Sequence, residues 1–363
     1  MTPEGTVIAS GNLATNRRTI SGVLGQLALL EVDPRNAVKL LTSAGLPRRA
    51  LEEPDFPISL QQELTVCTAL ATSLGPDRSP AVVFFNAMPR MGIENLGVLG
   101  MAMRHAPTAI EALRTCLIFP QLTWGHSRMV VSREDGASLF AFTMERPRLR
   151  DFSEEQIDRV VDYCLALDLT SALRNIQDIL ATEQPPLFID FPFPQPRDWK
   201  KVQWQPTCPV RFSANAACFA FPGTLDDTPL PRANPLLYRS YTSIAKNLSQ
   251  MLADDSHISE RVTRWLWAYT PPPRRAEIAQ LLSMSERSLT RQLGREGTSY
   301  MKLLAHVQQE RAKNFLRDPA LSVAEIGYRL GYTEPAAFSR AFTRWTGIAP
   351  LRWRRSSAAG KRA

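Results

Sequence analysis

A short pattern occurs twice within the last ninety residues of the chain. The first copy, residues 278–293, reads IAQLLSMSERSLTRQL, and the second, residues 326–342, reads IGYRLGYTEPAAFSRAF. With one extra residue in the second copy, the matching positions are Ile278 and Ile326, Ala279 and Gly327, Leu282 and Leu330, Ser285 and Thr333, Leu289 and Phe338, Thr290 and Ser339, Arg291 and Arg340, and Leu293 and Phe342. Each copy combines an apolar helix, a tight turn, a hydroxyl side chain and a second helix, so both are predicted to be helix-turn-helix units.

Hydroxyl side chains mark the predicted start of the second helix in each copy. The oxygens of Ser285 and Thr333 can accept hydrogen bonds from the N–H groups that a helix N-terminus leaves unpaired. Ser322 and Glu325 have the spacing of a capping box, which predicts where the first helix of the second copy begins.

One long helix is predicted between the two units, which lie at about 276–294 and 323–344. This segment, Ser299–Arg317, has nineteen residues, and at ~1.5 Å per residue it spans roughly 28 Å. Successive major-groove faces of B-DNA lie ~34 Å apart. A rigid helix of this length can therefore hold two recognition helices in adjacent grooves. The alternative explanation of the repeat is a plain helical bundle.

The positive charge of the chain is concentrated in the same region. Of 363 residues, 43 are Lys or Arg and 35 are Asp or Glu, a net charge of +8. Residues 274–363 hold 17 of the basic and 7 of the acidic residues, a net charge of +10, which leaves −2 for the remainder. A basic domain beside a nearly neutral one favours a polyanionic partner. Charge alone does not separate DNA from RNA or an anionic membrane.

Several other classes of protein are disfavoured by the sequence. The cysteines are few and scattered, at Cys67, Cys116, Cys164, Cys208 and Cys218. Because no C-x-x-C pair occurs, we expect buried free thiols, with no metal site and no cofactor. The four histidines form no H-E-x-x-H motif, so no enzyme activity is expected. No run of eighteen apolar residues and no signal peptide is present, which predicts a cytoplasmic protein without a membrane partner.

The first 230 residues mix helical and strand patterns. Helices are predicted at Val23–Glu31, Arg35–Ala44, Leu60–Ser73 and Ala109–Phe119. Strands are predicted at Met129–Ser132, Leu139–Met144, Leu187–Phe191 and Cys218–Phe221. Ser153 and Gln156 form a second capping-box pattern, which predicts a long helix over residues 154–180.

Three parts of the chain follow from these patterns. We expect an α+β sensor and dimerisation domain at 20–232, followed by a helical linker at 233–273 that ends in Pro271-Pro272-Pro273. Three prolines lack backbone donors and have fixed φ, so they are interpreted as a stiff spacer. An all-α DNA-binding domain is expected at 274–355, with two helix-turn-helix units joined by the linker helix.

The C-terminal region resembles the DNA-binding domain of the AraC/XylS family. The matching residues are Ala324-Glu325-Ile326-Gly327, Leu330-Gly331-Tyr332 and Phe338-Ser339-Arg340-Ala341-Phe342, followed by Gly347, Pro350, Trp353 and Arg354. In that family the second helix of each unit enters the major groove. The resemblance implies DNA contacts from Ser285, Arg287, Thr290 and Arg291 in the first unit, and from Thr333, Pro335, Ala336, Ser339, Arg340 and Arg344 in the second.

The two implied reading helices differ in composition. Pro335 and Ala336 depart from the polar residues common at those positions, so the second unit is expected to read fewer bases and to depend more on phosphate contacts or DNA shape. Near the C-terminus, Arg352, Arg354 and Arg355 either contact phosphate or are solvated tail charges.

The N-terminal region resembles the arabinose-binding-type domain found in ornithine-utilisation regulators. The matching segments are Asn95–Ala102, Ala106–Thr108, Glu111–Leu113, Val210–Phe212 and Leu225–Leu230. The resemblance implies effector sensing and, in some members, self-association. Trp124 and His126 are weak candidates for an effector site. The alternative for His126 is a structural histidine.

Together these observations predict a sequence-specific transcription regulator that binds double-stranded promoter or operator DNA. The expected regulator is an activator that responds to a small-molecule effector, contacts RNA polymerase and can form a homodimer. The alternative is a dimerising repressor or architectural regulator without an effector. An enzyme fused to a DNA-binding domain would need a reactive cysteine within a motif of zinc-binding cysteines, and none of the five cysteines is in such a motif.

Overall fold

The protein folds into two compact units. The computed structural model describes residues 8–9, 17–123, 125–134, 136–147, 149, 152–203, 206–223, 225, 228–252, 257–269, 271–282, 284–316 and 321–359. The N-terminal unit contains the described residues within 12–130 and 136–256. The C-terminal unit contains those within 1–11, 131–135 and 257–363.

The N-terminal unit is rich in helices. Its α-helices are α1 (Ser21–Leu29), α2 (Pro34–Ser43), α3 (Leu60–Ser73), α4 (Pro80–Ala87), α5 (Gly97–Arg104), α6 (Ala109–Ile118), α7 (Glu154–Leu180) and α8 (Pro235–Leu252). Short 3-10 turns occur at Arg48–Leu51, Met88–Arg90, Ile93–Leu96, Pro120–Leu122 and Trp199–Lys201. The predicted capping box at Ser153 and Gln156 is confirmed and begins α7.

Strands of the chain are short. Their bounds are β1 (Ile8–Ala9), β2 (Arg17–Thr19), β3 (Pro57–Ser59), β4 (Arg128–Glu134), β5 (Ala137–Thr143), β6 (Phe188–Asp190), β7 (Val210–Arg211) and β8 (Ala217–Pro222). Within the N-terminal unit, β8 lies between β5 and β6 and is antiparallel to both, while β7 is parallel to β6. Phe140 of β5 pairs with Phe219 of β8, and their buried rings stack with centroids 4.8 Å apart.

Helix α7 is the centre of the N-terminal unit. It packs against α3 and α4 as well as against β5 and β8. Two of its neighbours, α4 and α5, were not predicted from the sequence. In α5, Gly100 is required by packing, because an added Cβ would lie 1.8 Å from the carbonyl oxygen of Ile93.

From residue 257 onward the described part of the C-terminal unit is helical. Its helices are α9 (Ile258–Ala268), α10 (Arg275–Leu281), α11 (Glu286–Arg295), α12 (Tyr300–Leu316), α13 (Val323–Arg329), α14 (Pro335–Thr346) and α15 (Pro350–Ala359). Helix α12 packs against α9, α13, α14 and α15. It is the predicted linker helix, and its seventeen residues span about 25 Å at ~1.5 Å each. Arg317, the predicted last residue, lies outside the described residues.

The predicted fold class is confirmed: an α+β unit precedes a helical unit with two helix-turn-helix pairs. The predicted linker region is divided between the two units. Helix α8 belongs to the N-terminal unit and packs against α5, whereas α9 belongs to the C-terminal unit. The functional boundaries at 232 and 273 stay a prediction. No helix in the described part of the chain is both long and apolar enough to span a bilayer.

Candidate DNA-binding surface and the buried cluster around His126

The first helix-turn-helix unit consists of α10 and α11. Ser285 begins α11 as predicted, since its hydroxyl accepts a hydrogen bond from the Ser288 N–H at 3.1 Å. Leu289 and Leu293 are buried on the inner side of the helix. A salt bridge of 2.6 Å between Arg275 and Glu286 joins the two helices across the turn.

The outer side of α11 carries the residues predicted to contact DNA. Arg287, Thr290 and Arg291 are all exposed. Their spacing of three and four residues places them on one face of the helix. The Thr290 hydroxyl donates to the Glu286 carbonyl of its own helix at 2.8 Å.

The second unit, α13 and α14, begins its recognition helix one residue later than predicted. Glu334 is the N-cap, Pro335 is the first helical residue, and no side chain caps this end. The prediction that Thr333 is the N-cap is therefore wrong. A proline excludes the preceding residue from the helical region, and Glu334 is extended, with φ −129° and ψ 129°. Pro335 itself fits the first helical position, which needs no N–H donor.

The outer side of α14 carries a row of residues that corresponds to the exposed face of α11 but is less polar. Thr333, Ala336, Arg340 and Arg344 are exposed, while Pro335 and Ser339 are half-buried. The Ser339 carbonyl accepts a hydrogen bond from Thr343 at 2.8 Å. This face therefore presents two guanidinium groups and few other polar groups at its centre.

Aromatic packing holds the second unit together. Phe338 and Phe342 are fully buried, and the Phe342 ring lies edge-on to Trp353. Gly327 allows α13 to approach α14, since an added Cβ would lie 3.1 Å from Phe338 Cβ. The predicted capping box at Ser322 and Glu325 is confirmed, and Gly331, in the turn between α13 and α14, has a left-handed φ of 87°.

Three arginines of the two faces are free to bind a partner. The guanidinium groups of Arg287, Arg291 and Arg340 form no hydrogen bond or ion pair within the described part of the chain. Arg354 differs, because it donates to the carbonyls of Leu316 at 3.0 Å and Leu321 at 2.6 Å. Arg354 is therefore not a solvated tail charge, because two of its N–H groups bond carbonyls at and beyond the end of α12, and phosphate contact by its remaining N–H groups stays a prediction. Arg352 and Arg355 are exposed or half-exposed at the surface.

A buried arginine connects α12 to α9. Arg311 has no exposed surface and donates to the carbonyls of Leu266, Trp267 and Tyr269 at 2.6–2.9 Å. Its guanidinium also lies over the Trp267 ring, 5.2 Å from the centroid. Sequence reasoning missed this residue, because nothing in its spacing distinguishes it from the surface cations of a linker helix.

Of the two candidate effector residues, Trp124 lies outside the described residues and His126 is buried. The His126 side chain has no exposed surface. Its Nε2 lies 3.3 Å from Glu63 Oε1 and its Nδ1 lies 3.5 Å from Asp168 Oδ1. This position favours the alternative, a structural histidine, over direct contact with an effector.

His126 is part of a larger polar group, here called the His126 cluster, which consists of Arg18, Glu63, Cys67, His126, Cys164 and Asp168. Arg18 and Glu63 form a salt bridge of 2.7 Å, with both side chains about 1% exposed. The second oxygen of Asp168 accepts from the backbone N–H groups of His126 and Ser127 and from the Ser127 hydroxyl.

Charges within the cluster shift its pKa values. Burial lowers the pKa of His126, but the charges of Cys164, Cys67 and Glu63 and the nearby carboxylate of Asp168 outweigh it, so the pKa is well above 6.5. Burial raises the pKa of Glu63, yet Arg18 and His126 leave it below 4.5. A hydrogen bond from Cys164 lowers the pKa of Cys67 to about 6, whereas burial raises that of Cys164.

Sequence reasoning did not find the cluster, because its members lie far apart in the chain. The available signal was two pairs at i,i+4 spacing, Glu63 with Cys67 and Cys164 with Asp168, each on one face of a predicted helix. The fold packs these faces together, since α3 lies against α7.

Comparison with known proteins covers both units. Residues 35–230 match the arabinose-binding domain of AraC transcription regulators, and residues 278–356 match a helix-turn-helix domain family. These matches include the segments on which the sequence resemblances were based, and the second spans α11, α12 and α14.

Similar individual proteins are transcription regulators. An uncharacterised helix-turn-helix-type transcriptional regulator of Mycobacterium tuberculosis is 26% identical over 320 residues, 87% of this chain and 90% of the relative. The ornithine utilization regulator of Pseudomonas aeruginosa is 27% identical over 267 residues, 73% of this chain and 76% of the relative. The solved structure of the regulator CdpR from the same organism has 22% identity and a TM-score of 0.43, covering 89% of this chain and 96% of that one. Because the two family models together match most of the chain, the chain belongs to the AraC family of DNA-binding transcription regulators, in the branch with an arabinose-binding-type N-terminal domain.

Proposed function

We propose that this regulator reads its operator with both recognition helices and activates transcription when its N-terminal unit binds a small-molecule effector. The observation that carries the proposal is the pair of matching exposed faces on α11 and α14. Both faces present arginines, at Arg291 and Arg340, whose guanidinium groups are unpaired among the described residues.

The chemistry of the two faces suits base readout in a major groove. A guanidinium can bond guanine O6 and N7 in a fork, and an alanine methyl can contact the methyl of thymine. Arg287, Arg291 and Arg340 are assigned to guanine contacts, and Ala336 to a thymine methyl. Ser285, Thr290, Thr333, Ser339 and Arg344 are assigned to phosphate or base-edge contacts along the same two faces.

The N-terminal unit offers room for an effector away from His126. A surface groove of about 760 Å³ is lined by residues including Ser79, Arg159, Asp162, Phe193 and Arg197. Ligand pockets of proteins commonly measure about 300–1,000 Å³. A groove with both acidic and basic walls and one aromatic ring fits a small polar molecule.

The experiment compares the full chain with a fragment from His257 to Ala363. Binding to an operator mapped by footprinting is measured at one fixed salt concentration, with and without an effector identified by thermal-shift screening of the full chain. Both proteins are expected to bind DNA with a steep salt dependence, because phosphate contacts release counterions. Only the full chain should change its DNA affinity when effector is added. The fragment lacks the N-terminal unit, and a ligand changes a conformational equilibrium only by binding one conformation more tightly than the other.

The results of this experiment also separate the proposed location of effector sensing from the proposed activation of transcription. An effector that shifts the isolated fragment would place sensing in the C-terminal unit and contradict the proposal. If no compound stabilises the full chain and transcription falls when the protein is added, the chain acts as a dimerising repressor or architectural regulator. Contact with RNA polymerase and homodimer formation are tested in the same assays, by transcription in vitro and by sedimentation.

A further inference from the structure

Three side chains of the types that commonly bind metal ions lie close together in the interior of the N-terminal unit. Cys67 extends from α3, Cys164 from α7, and His126 from the segment between α6 and β4. Their sulfur and nitrogen atoms all lie within 4.8 Å of one another, and all three residues are buried. We propose that these residues bind one Zn²⁺ ion, with Glu63 as the fourth ligand.

The measured spacings fit a tetrahedral zinc site. With Zn–S near 2.3 Å, Zn–N near 2.0–2.1 Å and Zn–O near 2.0–2.2 Å, tetrahedral angles place ligand sulfur and nitrogen about 3.6 Å apart and nitrogen and oxygen about 3.4 Å apart. In the structure Cys67 Sγ lies 3.7 Å from His126 Nε2. The same nitrogen lies 3.3 Å from Glu63 Oε1. The two sulfurs and the His126 nitrogen need little movement to share one ion, whereas Glu63 Oε1 lies outside this group of atoms and must turn toward the sulfurs to complete the site.

The surrounding polar atoms also match a metal site. Glu63 Oε1 is buried and accepts no hydrogen bond, whereas its other oxygen is held by Arg18 at 2.7 Å. This leaves Oε1 as an open donor beside the imidazole of His126. On the far side of the imidazole, Asp168 Oδ1 lies 3.5 Å from Nδ1 and likewise accepts no hydrogen bond. A carboxylate at this position fixes the tautomer that presents Nε2 to zinc.

Charge is conserved when zinc enters this site. Two protons leave as the dication binds, one from the Cys164 thiol and one held by the Cys67 and His126 pair, so two positive charges leave and two arrive. The fixed charges of Arg18, Glu63 and Asp168 are unchanged by the exchange. No excess charge is therefore left in an apolar interior, which removes the main energetic objection to ionising both cysteines.

Donor type and burial specify the metal and its role. Thiolate and imidazole ligands select zinc over Mg²⁺ and Ca²⁺, which prefer oxygen. The side chains of His126 and Glu63 are 0% and 1% exposed, so no ligand position opens to solvent. A closed site of this kind is structural, and it joins α3, α7 and the segment before β4 into one folded body.

The direct test uses the full-length chain without substitutions. Protein purified with reduced thiols and without chelator is expected to contain about one zinc per chain by elemental analysis. After removal of zinc, Co²⁺ alone is added. It should produce a thiolate-to-metal charge-transfer band and the intense visible bands of tetrahedral cobalt, which Zn²⁺ then abolishes. Zn²⁺ should raise the melting temperature of this protein, whereas Mg²⁺ should not.

Variants assign the ligands. Cys67→Ser and Cys164→Ser should each abolish the cobalt thiolate band or reduce it by about half, while Cys208→Ser, at a half-buried cysteine outside the cluster, should leave it unchanged. Asp168→Asn should weaken zinc binding by about 10–100-fold, as expected for a residue that positions a ligand. Asp158→Asn, on the exposed side of the same helix, should have no effect.

Two results would overturn the proposal. One is a folded, reduced parent chain with less than about a tenth of a zinc per molecule and no cobalt thiolate band, which would identify a metal-free network of ion pairs. The other is a Cys67–Cys164 disulfide, found by mass spectrometry, that forms as readily with zinc present as without it. Both results are measured on the parent chain, so the proposal can be refuted even if a variant does not fold.

Discussion

The two helix-turn-helix units have the same layout but differ in what holds them together and what they present. The first has an aliphatic interior around Leu289 and Leu293 and a polar outer face. The second has an aromatic interior around Phe338 and Phe342, and its outer face has Ala336 where the first has Arg287. The difference suggests a division of labour, in which the first unit reads more bases and the second is the more firmly packed.

The largest effect should come from separating the two half-sites. One protomer is expected to protect two DNA segments whose centres lie about one helical turn, ~10 bp, apart. Inserting five base pairs between them places them on opposite faces of the duplex. Two base contacts are then lost at about 1–3 kcal/mol each, or about 2–6 kcal/mol in all.

The control for spacing is an insertion of ten base pairs, which returns the two DNA segments to the same face of the duplex but increases the distance between them. Affinities are measured by fluorescence anisotropy at constant salt. The comparison would fail if the five-base-pair insertion bound as well as the parent operator, because then only one unit engages DNA.

Core truncations should distinguish the two interiors. Phe338→Ala is expected to destabilise the C-terminal unit by about 3–5 kcal/mol and Leu289→Ala by about 2–4 kcal/mol, since each removes a fully buried side chain and the aromatic ring leaves the larger cavity. Urea unfolding of the His257–Ala363 fragment, followed by circular dichroism, gives both values. Equal or reversed costs would argue against a more firmly packed second unit.

A structural feature of this protein could be predicted from the sequence when the residues that determine it lie close together in the chain. The bounds of α3 and α7 were both predicted to the residue, because apolar spacing lies within each segment and a capping box marks the start of α7. Helix α4 was missed because its run PAVVFFNA is apolar on all sides and shows no helical period.

Features that depend on distant residues were not accessible. Arg311 is structural only because α9 ends beside it, and the His126 cluster exists only because α3 packs on α7. The argument that scattered cysteines exclude metal binding assumed that ligands must be close in sequence, and the fold removes that assumption by bringing Cys67 and Cys164 together.

Single arginine substitutions should produce intermediate effects on DNA binding. Arg291→Ala and Arg340→Ala are each expected to cost about 1–3 kcal/mol and to relax preference at one base position, while non-specific binding changes less. Arg287→Ala should behave similarly, whereas Ala336→Gly should cost well under 1 kcal/mol because it removes only a methyl contact. Competition with single-base operator variants measures these preferences. Parent-like binding by folded Arg291→Ala and Arg340→Ala variants would refute the base contacts.

The smallest effects on stability should come from the N-cap residues of the two recognition helices, and the two units are expected to respond differently. Ser285→Ala removes the bond to the Ser288 N–H and should destabilise the C-terminal unit by about 1 kcal/mol. Glu334 occupies the same place in the second unit without a side-chain cap, so Glu334→Ala should change stability by less than about 0.5 kcal/mol.

Glu334→Asp should instead stabilise the fold by about 0.5–1 kcal/mol. The shorter carboxylate can accept from the N–H groups of the first turn, and the negative charge at the helix N-terminus is retained. The extended backbone at Glu334 already has the conformation that a capping residue needs, and Pro335 stays at the first helical position. Thr333→Ala is the matched control, since an exposed residue outside the helix should have almost no effect. If Thr333→Ala cost as much as Ser285→Ala, the second recognition helix would begin one residue earlier in solution, and the two units would be capped alike.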